Sequence, residues 1–153
     1  MNSNIYIGLF KLITIYAMTA LYIIVGIKHF LNIDFFIAIT PNFIGLKKEV
    51  VIISGVIEIV LGVLILFKKT RKLASIGIII LLILVFPANI YLYISEISRE
   101  LVGISKNQAL IRMPFQIPLI ILSYWHSMEK CSDKFSIFCI ILFVPTILYF
   151  ATL

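Results

Sequence analysis

Glu58 stands near the middle of "VVIISGVIEIVLGVLILF", residues 50–67, where water is least available. Four more residues able to donate, accept or carry a proton sit in or at the edge of other apolar stretches. They are His29 in "KHF", Asn89 in "FPANIYLYI", and Arg112 and Gln116 in "RMPFQIPLI". A carboxyl and an imidazole exchange protons, the two amides donate and accept, and a guanidinium binds oxygen acceptors through a fork of N–H groups. In hydrocarbon an ionisable side chain costs roughly 3 kcal/mol, so such groups turn inward and serve a purpose there. Other chemistries lack their parts. No H-x-x-x-H or paired acid–His spacing occurs, so no metal site is expected. No nucleophile stands beside a helix-adjacent base, so hydrolase chemistry has no support. The two cysteines, Cys131 and Cys139, form no C-x-x-C. On one helix their spacing of eight residues is about 12 Å, too far for a disulfide, which speaks against thiol–disulfide exchange.

The elements that must position these residues are membrane helices. The 153-residue chain is 62% hydrophobic and 13% charged, with a mean hydropathy of +1.15, whereas soluble domains are about half apolar. Apolar stretches run near Ile5–Phe30, Val50–Phe67, Leu73–Ile94, Leu110–Met128 and Phe135–Ala151, the last interrupted by Pro145. Eighteen helical residues span roughly 27 Å, about the hydrocarbon thickness, and in lipid only a helix satisfies its own backbone. The first stretch lacks a basic leader and is too long for a signal core, so it is expected to remain as a span. The net charge of +6 then belongs to topology and lipid headgroups rather than to nucleic acid.

The basic run "KKTRK", residues 68–72, favours the cytoplasm and places the N-terminus there too. Between the spans, "NIDFFIAITPNFIG" spaces Phe35, Phe36, Ile39 and Phe43 as a short amphipathic piece on the membrane surface, up to the break at Pro41 and Asn42. "SEISRELVGISKNQA" is the most hydrophilic part and is expected to be an exposed loop. His126, beside Tyr124 and Trp125, reads as an interfacial anchor.

Depth counting brings the polar residues together. Ser54, Gly55 and Gly62 share a helix side with Glu58, and small residues let a neighbouring helix approach. Pro87 removes an amide and is expected to free the carbonyl of Ile83 and loosen its helix beside Asn89. Because successive spans alternate in direction, His29, Asn89, Arg112 and Gln116 all fall in one half of the bilayer. Glu58 lies roughly 13 Å below the rim, as the floor of a polar pocket.

These stretches together resemble the motif series of small DoxX-like membrane proteins, across roughly residues 8–128. "P-A-N-I-Y" followed by "R-x-P-x-Q" is the more specific part. The resemblance implies an all-α transmembrane four-helix bundle over residues 1–128, and the chain departs from it with an extra hydrophobic helix in 129–153. It implies a bacterial inner-membrane protein linked to quinone or thiol redox systems, with His29, Glu58, Asn89, Arg112 and Gln116 as the site. The missing cysteine pair speaks against the thiol branch. The resemblance leaves the ligand open with a quinone among the candidates, and in that reading the chain is at most one subunit of a membrane oxidoreductase. An assembly or scaffold protein that binds a membrane partner or a second copy, and a small proton-coupled transporter using Glu58, are the open alternatives.

Overall fold

The computed structural model describes residues 3–151. Its regular elements there are all helical: α1 (Ser3–Leu31), α2 (Ile33–Ile39), α3 (Lys47–Leu64), α4 (Lys68–Ile94), α5 (Glu96–Val102), α6 (Lys106–Arg112), α7 (Gln116–Ser127) and α8 (Asp133–Ala151). Three of them, α1, α4 and α8, are long and apolar enough to cross a membrane. Large apolar side chains stand exposed along their outer faces, among them Leu9, Ile13, Ile80, Leu84, Ile141 and Leu148. A water-facing surface does not carry that much contiguous apolar area.

Two of the five expected stretches differ. The second helix begins at Lys47, not Val50, and ends at Leu64, so its 18 residues include Lys47, Lys48, Glu49 and Glu58. The stretch expected as one span from Leu110 to Met128 is two helices. Pro114 and Pro118 lack amides, and amides just before and between them turn to carbonyls three residues back: Met113 to Leu110, Gln116 to Met113 and Ile117 to Pro114. Two other prolines do less than expected. Both α4 and α8 run unbroken through Pro87 and Pro145. In each case the carbonyl left unpaired belongs to an outward-facing residue, Ile83 or Ile141, where the helix bends at little cost.

The basic run 68–72 is the first turn of α4 rather than a loop. Thr70 Oγ1 donates to the carbonyl of Leu64, and Arg71 donates to those of Ile65 and Leu66, so side chains of α4 cap the end of α3. The hydrophilic segment 95–111 is also helical. Ser95 and Ser105 cap α5 and α6, and Gly103, at φ 68°, ends α5 in the left-handed conformation. Ile39 of α2, Leu92 of α4 and Ala109 of α6 form a small core at this end, with Val102 of α5 packed against it.

The most extensive packing is α1 on α3, followed by α4 on α7; α3 also meets α4, and α8 touches both α1 and α7. Glycines set the first of these contacts. A Cβ on Gly26 would lie 2.8 Å from the Gly55 carbonyl, one on Gly55 2.7 Å from the His29 Cβ, and one on Gly62 3.1 Å from the Tyr22 Cβ. Only hydrogen fits at the crossing. At the other end of the helices Met18, Ile65, Ile78, Leu122, Trp125 and Cys139 make the main core. Trp125 Nε1 donates to Ser136 Oγ at 3.3 Å, and Phe115 stacks on Tyr149 at 3.9 Å, so both ends of α8 are tied to α7 or the turn before it. Cys139 is fully buried and Cys131 half-buried, both as free thiols. A maleimide is therefore expected to label Cys131 first and Cys139 only after denaturation. Equal labelling rates in the native protein would show that α8 does not pack this way.

Candidate functional site

One cavity of about 310 Å³ lies between the helices on the side of α2. His29, Glu58, Asn89, Arg112 and Gln116 all line it, together with Ser54 and Pro87 of the residues read as packing positions. Gly55 and Gly62 do not face it; they lie in the α1–α3 contact that holds its wall. Pro87 is exposed, so it forms the rim and not a helix–helix contact. The remaining wall is apolar, from residues such as Leu21, Val25, Ile39, Val51, Leu119 and Phe150. A mostly apolar hollow with a few convergent polar groups is the usual form of a small-molecule site.

The polar groups differ in how they are held. The close Gly26–Gly55 crossing brings His29 of α1 against Glu58 of α3, with Nδ1 3.3 Å from Oε2. That nitrogen also lies 2.9 Å from the carbonyl of Val25, to which it donates. Glu58 Oε2 thus has no hydrogen-bond partner, because one N–H serves the better-aligned carbonyl. The imidazole is fixed from its other face by Phe36, stacked at 3.6 Å. Gln116 begins α7, where the proline break turns its side chain inward. Its Nε2 donates to the carbonyl of Leu82 at 3.2 Å, while Oε1 has no partner. The carbonyl freed by Pro87 is not the one used; its neighbour is.

Arg112 closes α6, with its guanidinium carbon 5.9 Å from the centre of the Phe35 ring. The only ion pair among the described residues is His29–Glu58, so Arg112 is not neutralised by a carboxylate in contact. Asn89 is half-buried and faces the cavity from α4. Tyr22 also lines the cavity, 4% exposed and with its hydroxyl unpartnered. Tyr22 is not among the residues singled out from the sequence, because a tyrosine within an apolar span passes for a packing residue. Three buried polar atoms around one hollow, Glu58 Oε2, Gln116 Oε1 and Tyr22 Oη, therefore lack protein partners. Each such atom costs about 1–3 kcal/mol unless something else satisfies it.

Some lining residues reach the outside as well. Phe43, before α3, Val50 on α3 and Leu84 on α4 are 81%, 41% and 70% exposed. The cavity consequently opens sideways between α3 and α4, through an apolar mouth. Phe150 of α8 lines the opposite side, so the C-terminal hydrophobic helix forms part of the wall.

His126, read from the sequence as an interfacial anchor, is not at a surface. It is 2% exposed, and its Nε2 lies 2.9 Å from Thr14 Oγ1 at the end remote from the cavity. Lys11 joins it there, donating to the Met128 carbonyl at 2.6 Å and lying over the Trp125 ring. The adjacent Tyr124 and Trp125 hid this in the sequence, because an aromatic belt has the same residue types.

Among comparisons with known proteins, one family matches: a domain of unknown function, DUF8561, over residues 18–127. No curated protein matches, and no solved structure matches.

Proposed function

Because the chain belongs to the DUF8561 family, defined without an activity, we propose its function from the cavity: it binds the head group of a quinone-like membrane lipid. The observation that carries this reading is the set of unpartnered polar atoms around an apolar hollow whose mouth faces sideways. A quinone offers two carbonyl oxygens when oxidised and two hydroxyls when reduced. Arg112 and the Asn89 amide supply donors for the first, while Glu58 Oε2, Gln116 Oε1 and the Asn89 carbonyl supply acceptors for the second. The volume of about 310 Å³ lies at the small end for ligand sites. It suits a ring, with the apolar tail leaving between Val50 and Leu84 into lipid.

In this reading α1, α3, α4 and α6–α7 make a transmembrane four-helix bundle, with α8 as the fifth helix. The bundle sits in a bacterial inner membrane with "KKTRK" towards the cytoplasm, and kinship with DoxX-like proteins is part of the same proposal. The chain acts as one subunit of an oxidoreductase, holding the ring while a partner supplies electrons.

The test is equilibrium binding of a benzoquinone with a ten-carbon tail to the purified protein in nanodiscs. Saturable binding is expected, and Leu84→Trp, which fills the mouth without touching a polar group, is expected to weaken it about tenfold or more. Absence of saturable binding to the wild-type protein overturns the proposal and leaves the scaffold reading.

A further inference from the structure

Charge is unevenly shared between the two ends of the helices. Lys11 Nζ donates to the Met128 carbonyl, which joins the start of α1 to the end of α7. Arg71 lies within electrostatic reach of Lys11, so the start of α4 is at the same end. There Lys11, the four cations of 68–72, Lys130 and Lys134 stand against Glu129 and Asp133. Seven cations and two carboxylates leave five of the six net positive charges at this end and one at the cavity end. The only ion pair among the described residues is His29–Glu58, so none of the seven has a carboxylate in contact. The first turn of α4 contains no acidic residue either.

The cations are of two kinds. Lys11 and Arg71 are half-buried and held in place. Arg71 gives Nε and Nη2 to the carbonyls of Ile65 and Leu66, each at 2.9 Å, which uses two of its five N–H donors. Lys68, Lys69 and Lys72 are exposed. A fixed guanidinium thus backs three mobile ammonium groups.

An apolar stripe continues from them. Lys69, Lys72, Ile76 and Ile80 follow each other at spacings of three and four residues, so they share one face of α4. Leu73, Ile76 and Ile80 are all exposed on that side. Gly77, next to Ile76, receives Leu61 of α3, whose Cδ2 lies 2.7 Å from where a Cβ would stand, so α3 borders the stripe. The surface passes from three lysines to bare aliphatic side chains within one helical turn. A phospholipid has the same two-part polarity.

We propose that the start of α4 binds an anionic phospholipid, with its head group on Lys68, Lys69, Lys72 and Arg71 and an acyl chain along Leu73, Ile76 and Ile80. Charge complementarity selects this occupant. A zwitterionic head group brings an ammonium that the surplus of positive charge repels, whereas an anionic one brings only negative charge. A soluble phosphate meets the same cations and leaves the stripe bare. The bound phosphate sits beside Arg71, whose side chain caps α3, so the lipid braces the α3–α4 junction. This site is separate from the cavity and does not depend on what fills it.

The test uses the full chain, stripped of lipid in a neutral detergent and titrated with dioleoylphosphatidylglycerol, dioleoylphosphatidylcholine or inorganic phosphate. Native mass spectrometry counts the bound lipid, and a thermal melt reads the brace. Phosphatidylglycerol is expected to bind about tenfold or more tighter than phosphatidylcholine and to raise the melting temperature, which inorganic phosphate at the same concentration does not. Lys69→Gln combined with Lys72→Gln is expected to remove most of that preference. Both side chains are exposed, so the fold is kept. Lys48→Gln combined with Lys106→Gln removes the same charge at the cavity end and is expected to leave the preference unchanged. Equal binding of the two lipids, equal losses in the two double variants, or displacement of the lipid by an equal concentration of inorganic phosphate overturns the lipid site.

Discussion

Gly55→Leu is expected to lower the melting temperature of the detergent-solubilised protein by on the order of 10 °C, reflecting about 3 kcal/mol of overpacking. The reason is the α1–α3 crossing, where a Cβ on Gly55 would already stand 2.7 Å from the His29 Cβ and 3.0 Å from the Gly26 carbonyl. Neither is the far end of a flexible side chain, so the helices themselves must part. Parting them pulls the imidazole from the Glu58 carboxyl and widens the cavity floor, so quinone binding should fall with stability. Gly8→Ala is the control. Nothing lies within 4 Å of a Cβ there, and alanine in an exposed helical position is expected to be neutral or to stabilise by about 0.5–1 kcal/mol. If Gly55→Leu melts with the wild-type protein, the close crossing is not what holds α3 in place.

Arg112→Ala is expected to raise the dissociation constant for the tailed benzoquinone by about 10- to 100-fold, the equivalent of about 1.5–3 kcal/mol for a charge-assisted hydrogen bond. The guanidinium lines the cavity with no carboxylate in contact among the described residues, so a ligand oxygen would meet a charge that no anion neutralises. Arg112→Lys keeps the charge and loses the fork, and should fall between the two. Glu58→Gln keeps the volume, removes the carboxyl as an acceptor for a quinol hydroxyl, and is expected to weaken the reduced ligand more than the oxidised one. Binding of both redox forms that is unchanged in Arg112→Ala and Glu58→Gln would remove these groups from any ligand role.

The positions of the helices and the gathering of five polar residues on one cavity were legible in the sequence, because depth follows from counting residues along an apolar run. Direction was not. A helix facing lipid on one side and its neighbours on the other is apolar all round, so periodicity does not tell which face points inward. His126 and Lys11 show the consequence: as residue types they pass for an interfacial ring and a topology charge, whereas packing makes one a core group and the other its neighbour. Proline effects were misjudged for a related reason. Pro87 and Pro145 each free an outward carbonyl and leave their helices whole, while Pro114 and Pro118 act together and split a span. Helix α5 was missed because its composition is that of a loop, although the Ser95 cap, the Gly103 end and docking against α2 and α4 together make it regular.

The side-chain clamp of Thr70 and Arg71 on the last carbonyls of α3 has a mechanical corollary. It pins α3 to α4 at one tip, while the sideways mouth separates them at the other, so the pair is built like tweezers. With α1 locked to α3 by glycine and α4 seated on α7, each arm is two helices thick. Helix α8 packs on both α1 and α7 and straps the arms together, so any widening of the mouth has to strain that strap as well as the fulcrum.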